Sequence, residues 1–383
     1  MSRLLVFNFD GTGNEPRDAD QGVSSDQFKD ESISNILKLH LMLGGNLYSD
    51  SDLRGHCLQS RIHRCFYYQG VGTYGNWLSK LINQGLAPQS ADVTSILNRA
   101  IEDFCQHYQQ GDTLLVTGFS RGAAIARRFV TLIQSNVDKN TDAFVYLCVF
   151  DTVASMGLPD LSTQNRPRFD VVFEHGHKLA DIVKKALHLV SLDEKRKAFQ
   201  PTLMNHEANK VLELWFAGAH SNIGGGYYHD ALSDVCLNFA MQWLNHNQAY
   251  HCLAHFNLRV PTQSQLQSLC PDALQQTIQI DDLFCTPNPL GKSHQQSRNS
   301  ILEWISLDDR RCCVIENEQI SHQLKPLVHH SVATRIAKLP DYQPASLNSV
   351  EHQLWHNFTT APQRFADGLA HKTLEIESDI MSE

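Results

Sequence analysis

Thr113-Leu-Leu-Val-Thr117 runs into Gly118-Phe-Ser120-Arg-Gly122 and on into Ala123-Ala-Ile-Ala-Arg-Arg-Phe-Val130. An apolar run of strand length, a G-x-S-x-G turn and an Ala-rich helix start follow one another without a gap. This order predicts a sharp strand-to-helix turn that lifts the Ser120 side chain out of a sheet, with small neighbours avoiding clashes. The backbone N–H of Arg121 would open the helix and point to where an oxyanion forms. The helix dipole would favour that charge. Ser120 is therefore a candidate nucleophile; the bland alternative is a plain turn between two elements.

Four further apolar runs read as buried parallel strands: Leu4 to Phe9, Cys65 to Gln69, Phe144 to Phe150 and Val211 to Phe216. Val93, Leu97, Ala100, Ile101, Phe104 and Tyr108 recur at helical spacing before the serine strand, and Leu232, Val235, Phe239 and Trp243 do so after the last. Strands alternating with helices predict an α/β fold, a mainly parallel sheet with helices on both faces. Residues 1–250 would form this core. Within it, the charge-rich stretch 155–205 is expected to be a helical insertion or cap beside the site. Residues 251–383, with Pro261, Pro271, Pro287, Pro289 and a Gln/Ser-rich stretch near 294–300, read as an irregular C-terminal extension. It would either pack on the core or form a small subdomain.

Composition narrows the function. The chain of 383 residues is 42% hydrophobic and 19% charged, with a formal charge of −9. No long basic run offers a footprint for a phosphate backbone, so nucleic acid is a poor partner. The apolar start of the chain stops at Asp10, too early for a signal-peptide core, and no stretch reaches the roughly 20 apolar residues of a transmembrane helix. The expectation is a protein made in the cytoplasm, with signal-independent export left open. Ten scattered cysteines form no C-x-x-C pair and read as reduced, mostly buried thiols. His175, His177, His329 and His330 lack partners at zinc spacing, so no metal or other cofactor is expected.

Several blocks carry a resemblance. They are Phe9-Asp-Gly-Thr-Gly-Asn14, Tyr68-Gln-Gly-Val-Gly-Thr73, Gly111-Asp112 leading to Gly118-Phe-Ser-Arg-Gly-Ala123, Phe150-Asp-Thr-Val-Ala154, Leu192-Asp-Glu-Lys-Arg196 with Phe199, and Trp215-Phe-Ala-Gly-Ala-His-Ser-Asn-Ile-Gly-Gly-Gly-Tyr227. In this order, over about residues 1 to 245, they resemble an α/β-hydrolase family of formerly unknown function that includes phospholipase effectors of type VI secretion. The resemblance implies an α/β-hydrolase-like fold and an esterase or lipase mechanism in which Asp151 and His220 complete a triad with Ser120. It also implies a lipid or ester substrate, and a secretion apparatus or immunity protein as partner. It departs at Asn222, where the family carries an acid; Asn222 then reads as a supporting or substrate-facing change.

The residues support the same assignment on their own terms. Asp151 and His220 each end an apolar strand, at the edge where open α/β sheets bind ligands, and the chain order Ser, Asp, His is that of α/β hydrolases. Asp151 read blandly caps the next segment, and His220 is a satisfied half-buried histidine. His329 is a rival base. The loop Asp10-Gly11-Thr12 closes the first strand, and its backbone or the Thr12 hydroxyl would supply a second oxyanion donor. Its bland reading is an ordinary Asp-Gly turn. The leading expectation is ester hydrolysis through an acyl-enzyme. A soluble-ester hydrolase and a non-catalytic binding module on the same scaffold are the alternatives.

Overall fold

The computed structural model describes residues 3–20, 30–50, 52–71, 90–137, 144–154, 179–249, 255–294, 307–359 and 363–365. Nine strands form one sheet: β1 (Leu4–Phe9), β2 (Ile62–Tyr68), β3 (Thr113–Phe119), β4 (Val145–Phe150), β5 (Val183–Ser191), β6 (Val211–Phe216), β7 (Leu327–His329), β8 (His352–Trp355) and β9 (Gln363–Phe365). Their spatial order is β2-β1-β3-β4-β5-β6-β7-β8-β9. Every neighbouring pair is parallel except β8 with β9. The chain steps from β1 to β2, then recrosses to β3 on the other flank of β1 and continues in that direction. The reversal leaves a crevice at the carboxyl ends of β1 and β3, the place where open α/β sheets bind ligands.

Both faces of the sheet are covered, so its central strands are apolar throughout rather than alternating. Leu4 and Val6 of β1 pack on one side with Ile36 and Leu39 of α1 (Asn35–Met42) and Val235, Phe239 and Trp243 of α5 (Ala231–Ala249). Leu5, Phe7 and Phe9 face the other side, against Ala100 and Phe104 of α2 (Ser90–His107) and Phe129, Val130 and Ile133 of α3 (Ser120–Ile133). The period of two along β1 thus sorts its side chains into two cores.

The stretch 155–205 is corrected in part. Val183–Ser191 is a central strand, not an inserted helix, pairing with β4 and β6. Lys184 and Lys185 disguise it, but they sit at its beginning, where Lys184 lies over the Phe144 ring and the Lys185 ammonium donates to the Asn209 carbonyl. From Ala186 onward the strand is buried. Residues 155–178 of that expectation lie outside the described residues. Beyond residue 250, β7 adds to β6 in parallel and β8 to β7, so part of the irregular region extends the same sheet. Among the described residues no helix is long and apolar enough to cross a membrane.

Candidate active site

Ser120 stands between the last residue of β3 and the body of α3 with φ of 57°, a left-handed conformation costly for a residue with a Cβ. Its neighbours explain how the turn is tolerated. A Cβ on Gly122 would lie 2.2 Å from the Asp10 carbonyl oxygen and 2.4 Å from that of Phe9, so only glycine lets the first turn of α3 rest against the end of β1. A Cβ on Gly224 would strike the Phe119 ring at 2.1 Å, and one on Gly11 would do so at 2.5 Å. Phe119, inside the elbow, thus fills the space between the β1 loop and α4 (His220–Gly224).

His220 opens α4 after β6, and its Nε2 lies 2.8 Å from Ser120 Oγ. Its Nδ1 lies 2.5 Å from Asp151 Oδ2. Asp151 follows β4 at φ of 39°, and its Oδ1 accepts the Ser191 amide at 3.0 Å. Ser120 and His220 are each 4% exposed and Asp151 is 0% exposed, so the contacts lie in a low-dielectric region. The His220 ring is held edge-on by Phe199 at 5.0 Å between centroids and tilted against Phe119 at 4.7 Å.

Burial pushes the His220 imidazole below its ordinary value, against the hydrogen bond and charge of Asp151, which raise it. The ring is therefore neutral at neutral pH. Burial alone would raise the Asp151 carboxyl, but the Arg310 charge and the bonds to His220 and Arg310 hold it far below the usual carboxylate range. Arg310, fully buried, donates from Nη1 to Asp151 Oδ1 at 2.6 Å and from Nη2 to Oδ2 at 2.9 Å. It lies 159 residues away in sequence, and nothing in its local motif announced it.

The block around Leu192 also has a role that its sequence did not reveal. Asp193 Oδ2 accepts the Gly218 amide at 2.6 Å, and Glu194 Oε2 accepts the His220 amide at 3.2 Å. Arg196 grips both Glu194 oxygens at 2.8 Å and lies over the Phe199 ring. Two adjacent carboxylates thus fix the backbone that carries His220.

In the β1 loop, the Gly11 amide is committed to Asp10 Oδ1 at 2.7 Å. Asp10 Oδ2 also accepts Ser34 Oγ at 2.7 Å and the Tyr67 hydroxyl at 2.6 Å, and burial raises its carboxyl to about 6 against these bonds. The Thr12 hydroxyl is buried and has no hydrogen-bond partner among the described residues. Arg121 is buried with no ion pair to its guanidinium among the described residues, and burial lowers its pKa to about 10.

His329 is engaged elsewhere: Nδ1 meets Ser331 Oγ at 2.8 Å and the ring stacks on Phe216. Asn222 ties α4 to His294, accepting the Ala219 and His294 amides at 3.1 and 2.9 Å and meeting His294 Nδ1 at 2.9 Å. His294 in turn reaches Asp30 at 2.9 Å. Among the described residues no group of His, Cys, Asp and Glu converges as a metal site.

A mainly parallel sheet with a Ser–His–Asp constellation at its carboxyl edge defines an α/β-hydrolase-like protein. The chain belongs to the family described as T6SS phospholipase effector Tle1-like, catalytic domain, whose model matches residues 3–137 and 134–247. The solved structures similar to it include the following two. One, an uncharacterized protein from Pseudomonas aeruginosa, is 19% identical over 72% of this chain and 50% of its own, with a TM-score of 0.41. The other, the Tle1 effector bound to the VgrG spike from the Type 6 secretion system, is 24% identical over 59% of this chain and 51% of its own, with a TM-score of 0.35. The chain spans about half the length of these structures. No curated protein matches it.

Proposed function

We propose that the chain is a serine hydrolase that cleaves carboxylic esters through an acyl-enzyme, with phospholipids as its substrate class. The observation that carries this reading is the 2.8 Å contact of Ser120 Oγ with His220 Nε2, continued to Asp151 at 2.5 Å. With Nδ1–H donated to Asp151, Nε2 is left as the acceptor of the Ser120 hydroxyl. Ser120 Oγ attacks the acyl carbonyl while His220 takes its proton. The imidazolium, stabilised by Asp151, returns that proton to the departing alcohol. Water then attacks the acyl-enzyme with the same base, releasing the acid and restoring Ser120.

For the oxyanion, the Arg121 amide at the start of α3 serves as one donor and Thr12, through its amide or hydroxyl, as the other. Gly11 contributes the space that Phe119 occupies, its own amide being committed to Asp10. The phospholipid class follows the family's description and is supported by Arg121, a buried cation one residue from Ser120 with no counter-charge among the described residues. In this reading residues 1–250 are the catalytic core and 251–383 an extension that adds strands to the same sheet. No metal or cofactor enters the chemistry. In keeping with its family's description as a T6SS effector, the protein would be delivered through a secretion apparatus, with an immunity protein as a further partner.

Fluorophosphonate labelling, with Ser120→Ala as control, tests the nucleophile. Incubation with mixed phospholipids and short acyl esters, read by mass spectrometry, tests the substrate class. Labelling at Ser120 with release of fatty acid is expected. A folded protein that neither labels nor releases acid would overturn the reading in favour of a binding module.

A further inference from the structure

Asp151 has two partners of opposite purpose. His220 needs its carboxylate when the imidazolium forms, yet Arg310 already occupies both oxygens of that carboxylate with a planar, two-pronged contact. Arg310 is itself anchored, since Nη1 also donates to the Ser191 carbonyl at 2.9 Å and Nη2 to that of Phe199. Its own segment is pinned beside the site, with the Asp308 amide donating to the Lys195 carbonyl at 2.7 Å and Leu307 bridged to Arg196. The guanidinium is therefore held from several sides.

We propose that Arg310 is a positioning residue for this reaction: it holds the Asp151 carboxylate in register with His220, and its fixed charge keeps the imidazole in its basic form between turnovers. This rests on the reading of Ser120, His220 and Asp151 as a triad. An aspartate alone favours the imidazolium and pulls the histidine upward. Here the charges bearing on His220 are Asp151, Glu194 at its amide, and Arg196; those bearing on Asp151 are Arg310 and His220, while the nearby Cys236 thiol stays neutral. Two carboxylates are matched by two guanidinium groups, so little uncompensated negative charge awaits a proton on His220. Arg310 comes from beyond residue 247, outside the matched catalytic-domain region.

The test is the pH profile of kcat/KM on a soluble acyl ester for the wild type, Arg310→Lys and Arg310→Gln, with His220 titrated by imidazole NMR in each. Arg310→Gln removes both fork and charge. It should move the acid limb up by about one pH unit and lower kcat about 10- to 100-fold, with KM nearly unchanged. Arg310→Lys keeps the charge but loses the fork, so kcat should fall while the acid limb stays near that of the wild type. A folded Arg310→Gln protein with the wild-type limb would overturn the proposal. Should neither variant fold, wild-type His220 decides, because a titration above pH 7 is incompatible with the charge balance. If the wild type turns over no ester, the NMR titrations still test Arg310, and the failure belongs to the proposed hydrolase activity.

Discussion

Glu194 accepts the backbone amide of His220 at 3.2 Å, so a carboxylate that never touches the imidazole fixes where it stands. Its own charge is secured: burial would raise it, but Arg196, Arg310 and His220 bring it down to about 2. That negative charge raises His220, opposite in sign to Arg196. Glu194→Gln keeps an acceptor for the amide but removes the charge. It should shift the acid limb of kcat/KM to lower pH, with a loss of rate smaller than that of Glu194→Ala. A limb moving upward in Glu194→Gln would contradict the stated electrostatics.

Ser120→Ala should leave the fold intact and cut ester turnover by about four orders of magnitude or more, as for other triad nucleophiles. Because Ser120 sits at φ of 57°, Ser120→Gly should be the more stable of the two inactive variants, by about 1 kcal/mol. Thermal unfolding of the pair checks this. Equal melting temperatures would mean that the elbow relaxes when the hydroxyl is gone.

The side chain of Arg121 offers a test of substrate class separate from its amide. Arg121→Gln should lower kcat/KM on an anionic phospholipid about tenfold or more, the scale of one lost charged hydrogen bond. A short neutral ester should be affected far less. Equal losses on both substrates would remove Arg121 from anion recognition.

Asp18 gives a pH signature in stability. Burial, helped by the charges of Asp10, Glu15 and Glu31, raises its carboxyl to about 7, against one hydrogen bond from the Glu15 amide. The folded chain then keeps a proton that the unfolded chain releases near pH 4, so stability falls as pH rises from about 4 to about 7 and is flat above. Asp18→Asn is blind to this change. Its stability relative to the wild type should rise by about 2 kcal/mol between pH 5 and pH 8, checked by denaturant melts at both values. A constant difference would place Asp18 in an ordinary, well-solvated state.

The central fold was legible because buried parallel strands announce themselves as unbroken apolar runs. β1 and β6 run between the residues read from sequence, and the elbow at Ser120 lies between a strand and a helix. β5 escaped because Lys184 and Lys185 open it, and a local reading cannot tell a strand end in solvent from a charged helix. β7 and β8, three and four residues long, are too short for any period to register. Arg310 was hidden more deeply. In Asp308-Asp309-Arg310-Arg311 it reads as one more solvated charge, and only tertiary packing reveals that it alone of the two arginines is fully enclosed.

The distance in sequence between Arg310 and the strands it serves sets a timetable for synthesis. A nascent chain that has emerged as far as α5 already carries Ser120, Asp151 and His220, but lacks Arg310 for Asp151 and the β7 neighbour of β6. Only when the stretch around residues 307 to 329 leaves the ribosome can the aspartate receive its second counter-charge and the sheet its next strand. Ser120, Asp151 and His220 are thus all synthesised before the residue that completes the hydrogen bonding of Asp151.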